Sequence, residues 1–142
     1  MAYEITREDI WVGEIEDTPG ALARKLEGVM RAEADLDFMI ARRMPEKPGF
    51  GVLFLAPLKG ARQVAAAEET GLQKAGGLHT LRIEGPNYPG LAAGMTKLIA
   101  DAGINMRGFS GAAIGDRCVF YIAFEDDDEA IRAAQVLTSK LG

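Results

Sequence analysis

The residues best suited to hold a small polar ligand come as two matched sets seventy positions apart, Asp17-Thr18-Pro19-Gly20 with Asp35-Leu36 and Asn87-Tyr88-Pro89-Gly90 with Asn105-Met106. A carboxamide both donates and accepts hydrogen bonds, so Asn87 and Asn105 can each meet either a donor or an acceptor. Asp17 and Asp35 only accept when ionised, which suits an ammonium or marks a site lost from the first copy. Without a ligand, Asn87 reads as a helix cap and Asn105 as a turn residue. A strand running into a helix through such a Pro-Gly turn leaves several backbone N–H groups free, and these favour a carboxylate or another anion. Gly20 and Gly90 allow a ligand close to that backbone. Tyr88 either shields the site or packs on the turn.

Other chemistry is sparse. The single histidine, His79, lies in strand register with Leu81 and Ile83 and reads as structural rather than as a general base. The single cysteine, Cys118, sits in the apolar run CVFYIAF and reads as a buried small hydrophobe, with no partner for a disulfide or a cysteine-based metal cluster. The acidic run Glu125 to Glu129 reads as a solvated helix start rather than a calcium loop, which would need spaced oxygen ligands and a turning glycine. With no Ser/His/Asp set and no metal-ligand spacing, a non-catalytic protein without cofactors is expected. Net charge is -5, and dividing the chain after Gly71 leaves nine basic against thirteen acidic residues in the first part and seven against eight in the second. Neither part has the basic surplus that nucleic acid requires. No segment approaches a membrane span or a signal sequence, so a cytoplasmic, membrane-free protein is expected.

The matched sets belong to a longer repeat. Glu14 aligns with Glu84 and Ala32 with Ala102 at an offset of seventy; beyond the next loop Ala56 aligns with Ala123 and Val64 with Ile131 at 67. The proline and glycine of MPEKPG account for a longer hairpin loop in the first copy. Each copy reads as strand, helix, strand, strand, helix. The first strands are IWVGEIE and TLRIEG, and Thr18 or Asp17 is the expected cap of the helix that follows. That helix carries Leu22, Leu26, Val29 and Met30 in the first copy and Leu91, Met95, Leu98, Ile99 and Ala102 in the second. The stripes start one residue out of step, which predicts helices of different rotation. FGVLFLAP and CVFYIAF read as central strands covered on both faces. Second helices are expected at about residues 59–70 and 127–141.

A fourth strand is missing from the second copy, which stops at Gly142 after its second helix. GLQKAG, from Gly71, is expected to close the first sheet, and AYEITR, residues 2–7, to cross over and close the second. The expected division is residues 1–75 and 76–142.

The pattern D/N-x-P-G-x-L-A, a helix, then A-G-x-N-hydrophobic, resembles the ACT domain, a small regulatory module that binds amino acids. NYPGLAAGMTKLIADAGINM follows it closely, and DTPGALARKLEGVMRAEADL follows it with Glu33 in the usual glycine position. The resemblance implies an α+β fold of two ferredoxin-like βαββαβ repeats, antiparallel sheets with helices on one face, pairing edge to edge. Repeated halves with unpaired strand edges are expected to make at least a pseudo-dimer and, between chains, a homodimer, with pairing inside one chain or across two both open. It implies a small amino-acid effector held near the first turn by Asn87, Tyr88, Gly90, Leu91, Asn105 and Met106. The corresponding set in the first repeat is Asp17, Gly20, Ala21, Asp35 and Leu36. Output would then pass through a partner enzyme or regulator. Two other functions fit the same fold: an oligomerisation module without a ligand, and a small cofactor-free enzyme.

Overall fold

The computed structural model describes residues 2–141. In chain order the elements are β1 (Glu4–Glu8), β2 (Trp11–Glu16), α1 (Ala21–Met30), β3 (Phe38–Arg43), β4 (Phe50–Ala56), α2 (Gly60–Glu69), β5 (Gln73–Lys74), β6 (His79–Pro86), α3 (Leu91–Asp101), β7 (Met106–Ile114), β8 (Arg117–Phe124) and α4 (Asp127–Leu141). They form two compact units. One is Asp9–Ala75; the other runs from Gly76 onward and includes the N-terminal residues up to Glu8.

Each unit is an antiparallel four-stranded sheet, ordered β3-β4-β2-β5 in one and β7-β8-β6-β1 in the other. With two helices apiece both are ferredoxin-like; the first runs βαββαβ in chain order, the second βαββα with β1 as its fourth strand, and the fold class is α+β. Alternation along the strands decides which face is apolar. Leu81 and Ile83 of β6 and Phe120, Ile122 and Phe124 of β8 join Met95 and Ile99 of α3 and Leu137 of α4 in one core. Leu53 and Leu55 of β4 join Trp11, Val29 and Ala67 in a smaller one.

In the second unit the outer strand is β1, whose Glu4 to Glu8 pair with Glu84 to Thr80 of β6. Two contacts anchor it. Tyr3 is buried and its hydroxyl donates to the Pro86 carbonyl at 2.7 Å, while Arg7 meets Asp127 of α4 at 2.7 Å. The Tyr3 ring lies where a side chain on Gly85 would stand, so this close approach needs a glycine.

The helix rotations differ from the sequence reading. In α1 the buried positions are Ala21, Gly28 and Val29, whereas Leu22 is 36% and Met30 63% exposed. In α3 they are Leu91, Met95 and Ile99. At an offset of seventy Ala21 coincides with Leu91 and Val29 with Ile99, so the two helices present the same phase. The small residues Ala21 and Gly28 are among the buried positions of α1, and Gly28 has Thr70 directly against it. The start of α4 is as acidic as its sequence suggested, with Asp127, Asp128 and Glu129 in the first turn and the Asp126 carboxylate accepting the Glu129 N–H at 2.8 Å.

Candidate functional site

The repeated turn is the same device in both units. Gly20 (φ 85°) and Gly90 (φ 89°) are left-handed and stand immediately before α1 and α3. A side chain there would be strained, so glycine is required by the backbone. Ala21 N–H turns back to Thr18 O and Leu91 N–H to Tyr88 O, each at 3.3 Å. No side chain caps either helix, which corrects the expectation for Asp17 and Thr18 and the ligand-free reading of Asn87 as a cap. A glycine in the left-handed conformation at the cap position holds no side-chain oxygen over the first N–H groups. Asp17 instead takes the Arg43 Nε–H at 2.9 Å, and Asn87 is fixed through its backbone, its N–H donating to Asp116 O at 2.8 Å.

The rest of the expected ligand set is dispersed by topology. Pro86 lies opposite Arg117 at one end of the second sheet, whereas Met106 and His79 both lie opposite Phe124 at the other end. Asn87 and Asn105 therefore flank opposite ends of an eight-residue strand, a separation of roughly 25 Å at about 3.3 Å per residue. Asp17 and Asp35 are divided likewise, because Glu16 lies opposite Phe50 while Phe38 lies opposite Ala56 at the far end of β4. Neither pair converges within one chain. Asn87, Tyr88, Asp17 and Asp35 are exposed, as is Asn105. Leu91 and Ala21 are buried, and Leu36 and Met106 pack against the cores, so these four offer a ligand mainly backbone. Beside Asp17 lies a cavity of about 270 Å³ lined by Thr18, Leu22, Ala41 and Arg43. Its wall carries β3, an edge strand; β7 is the corresponding edge in the second sheet.

One polar cluster escaped the sequence reading. Arg82 of β6 donates to Glu84 at 2.8 Å and to the Tyr121 hydroxyl at 3.1 Å, and Arg117 reaches the same carboxylate at 3.3 Å. The hydrogen bond from Arg82, then that from Arg117, holds Glu84 below the usual glutamate range. Burial opposes the charge on Arg82, but the hydrogen bonds to Glu84 and Tyr121 outweigh it and strengthen its hold on the proton. The clue was period two: Arg82 and Glu84 alternate with Leu81 and Ile83, hence share the face away from the core.

The single cysteine and the single histidine are placed as follows. Cys118 is 4% exposed, burial pushes its thiol up, and its Sγ approaches Gly85 O at 3.4 Å. His79 Nδ1 lies 3.9 Å from Asp127, a carboxylate that Arg7 already holds. Among the described residues no cluster has the ligands for a metal ion, and no helix is long and apolar enough to cross a membrane.

No family model and no curated protein matches the sequence. Solved structures do match across nearly the whole chain. Protein BT0572 from Bacteroides thetaiotaomicron superposes with a TM-score of 0.78 at 17% identity, covering 96% of this chain and 90% of that one. The ligand-free regulatory subunit of aspartate kinase from Thermus thermophilus gives 0.63 at 19% identity, covering 95% of each chain. Aspartokinase III from E. coli, in complex with aspartate and ADP, gives 0.58 at 15% identity, covering 98% of this chain and 33% of that one. At such identities the likeness is one of fold.

Proposed function

From the tandem ACT fold that this chain carries, we propose that it is a non-catalytic regulator that binds a small amino acid and acts through a partner protein. The observation that carries the reading is the doubled turn, in which a left-handed glycine presents an uncapped helix start beside Asn87 in one unit and Asp17 in the other. An uncapped start favours a carboxylate, and a neighbouring carboxamide can accept from an ammonium. That one solved structure of this fold is a regulatory subunit of aspartate kinase supports action through a partner.

The distance between Asn87 and Asn105 dictates how a joint site would form. β7 pairs with β8 alone, and Ile114 at its end is 87% exposed. Antiparallel pairing of β7 with β7 of a second copy, centred on Ser110, sets Met106 of one copy opposite Ile114 of the other. Asn105 of one copy then reaches the hairpin whose Asp116 anchors Asn87. Ligand contact thus requires a homodimer, and Gly90 and Tyr88 line the same turn. In the first unit Arg43 already neutralises Asp17, so that turn favours a ligand able to displace or share the guanidinium. A cytoplasmic setting fits an effector drawn from amino-acid metabolism.

A thermal-shift panel of the twenty amino acids tests the proposal. Ligand at a hundred times its dissociation constant adds about 2.7 kcal/mol, or several degrees for a chain of this size. A hit whose shift is reduced by Asn87→Ala with Asn105→Ala is the expected result; a flat panel with the dimer intact favours the oligomerisation module.

A further inference from the structure

The two sheets are closed to different extents along their outer edges. β6 is paired by β1 from Thr80 to Glu84, whereas β2 has β5 opposite Trp11 and Val12 only. Asp17 N–H points to the β4 side, donating to Gly49 O at 3.0 Å, and Ile10 O points to the outer side, accepting from Ala75 N–H at 2.8 Å. Because the direction alternates residue by residue, the N–H and C=O groups of Glu14 and Glu16 face outward with no strand opposite them. This bare edge is one wall of a cavity of about 400 Å³, whose other walls include Arg24 and Lys25 of α1, Thr70 at the end of α2, and Phe50.

The charges there divide into occupied and available. Lys25 Nζ is held by Thr70 O at 2.6 Å, and Glu14 by Lys47 at 2.5 Å. Among the described residues, Glu16 and Arg24 have no side-chain ion pair or hydrogen bond, and they do not pair with each other although they line one cavity. Arg24 Nη1 lies 3.1 Å from the position of a Cβ on Gly20, so its guanidinium folds back to the start of α1. An available cation and an available anion lining one cavity, beside unpaired strand backbone, complement a dipolar molecule.

We infer that this cavity binds a free amino acid as a zwitterion, lying along β2 as a single residue of the absent strand. The α-carboxylate meets Arg24, the α-ammonium meets Glu16, and backbone of Glu14 and Glu16 supplies the remaining hydrogen bonds. The bare edge from Glu14 to Glu16 spans only about 10 Å, which favours one residue over a long peptide. Ile15, Ala21 and Phe50 give the side chain an apolar surround. The inference needs neither Asn87 nor Asn105 and shares no residue with them.

Calorimetric titration with the amino acids that shift melting tests it, on wild type, Glu16→Gln, Arg24→Gln and Asn87→Ala/Asn105→Ala. Both charges being exposed, circular dichroism should report unchanged folds. Expected are a weakening of at least about tenfold in each of Glu16→Gln and Arg24→Gln, and a binding event that persists in the asparagine variant. The N-acetyl derivative and the α-amide of the same amino acid should each bind at least about tenfold more weakly, since each removes one charge. A flat panel, or unchanged affinity in either Glu16→Gln or Arg24→Gln, overturns the inference. So does full binding of the N-acetyl derivative, which would mark a plain carboxylate site. Loss of all binding in the asparagine variant alone leaves the proposed function standing and this site refuted.

Discussion

The N-terminal strand offers the sharpest test of how the second unit is held. Tyr3 is 6% exposed and its hydroxyl is bonded to Pro86 O. Tyr3→Phe deletes that bond and leaves the carbonyl unpaired, costing about 1 kcal/mol. Tyr3→Ala also removes the ring that fills the space over Gly85, and aromatic-to-alanine changes in cores cost about 3–5 kcal/mol. Because the ring packs beside the outer strand of the sheet, the site should fall at the low end, near ~3 kcal/mol. For a unit of this size each kcal/mol lowers the melting temperature by about 4 °C or more, so Phe should cost a few degrees and Ala about 10 °C. Burial raises the Tyr3 phenol above its usual range. The folded state thus holds the proton more tightly, and this contribution to stability is complete below the ordinary tyrosine range and lost as pH rises through the raised value. Tyr3→Phe should flatten the alkaline fall in stability. Thermal melts over pH, with hydrogen exchange on the β6 amides, measure both effects. A Tyr3→Ala protein that melts with wild type and keeps its β6 amides protected would refute the anchoring role, and deletion of residues 2–8 should reproduce or exceed the alanine effect.

Gly90→Ala forces a left-handed alanine and should cost about 1–2 kcal/mol, with ligand response reduced; an unchanged melting temperature would show that the turn relaxes freely. Glu84 has a depressed carboxyl, so its stabilising share is present above the ordinary glutamate range and lost as pH falls through the lower value. Glu84→Gln should therefore lose stability at neutral pH and show a shallower acid limb in pH-dependent melts. The phase of α1 predicts that Val29→Ala costs about 1–3 kcal/mol, whereas Met30→Gln on the exposed face stays within about 0.5 kcal/mol; the reverse order in denaturant titrations would restore the stripe through Met30. Arg43→Ala, breaking an exposed ion pair, should change stability by less than about 1 kcal/mol.

The fold was legible because the sequence repeats its punctuation. Pro-Gly at both strand-to-helix turns, the apolar runs of β4 and β8 and the acidic start of α4 each state a local preference that packing preserves. The rotation of α1 was hidden because its buried positions include Ala21 and Gly28, which a search for large apolar residues overlooks; Leu22 and Met30 mimic the stripe from the wrong side. Turn residues such as Asp17 and Thr18 suggested caps, yet the left-handed glycine excluded them, and Arg43 claimed the Asp17 carboxylate from a strand distant in sequence. The sequence offers candidate site residues but not their constellation. Sequence spacing pairs Asn87 with Asn105, whereas strand direction sends them to opposite ends of the sheet.

The most direct measurement is complementation between the single variants Asn87→Ala and Asn105→Ala. If an amino acid binds between edge-paired copies, neither variant alone should show the binding event that depends on the asparagines. Mixing and re-equilibrating the two should restore part of the binding by calorimetry, because a mixed dimer rebuilds one intact pair of asparagines. A mixture as inactive as its components, or either variant binding like wild type, would contradict a site shared between copies.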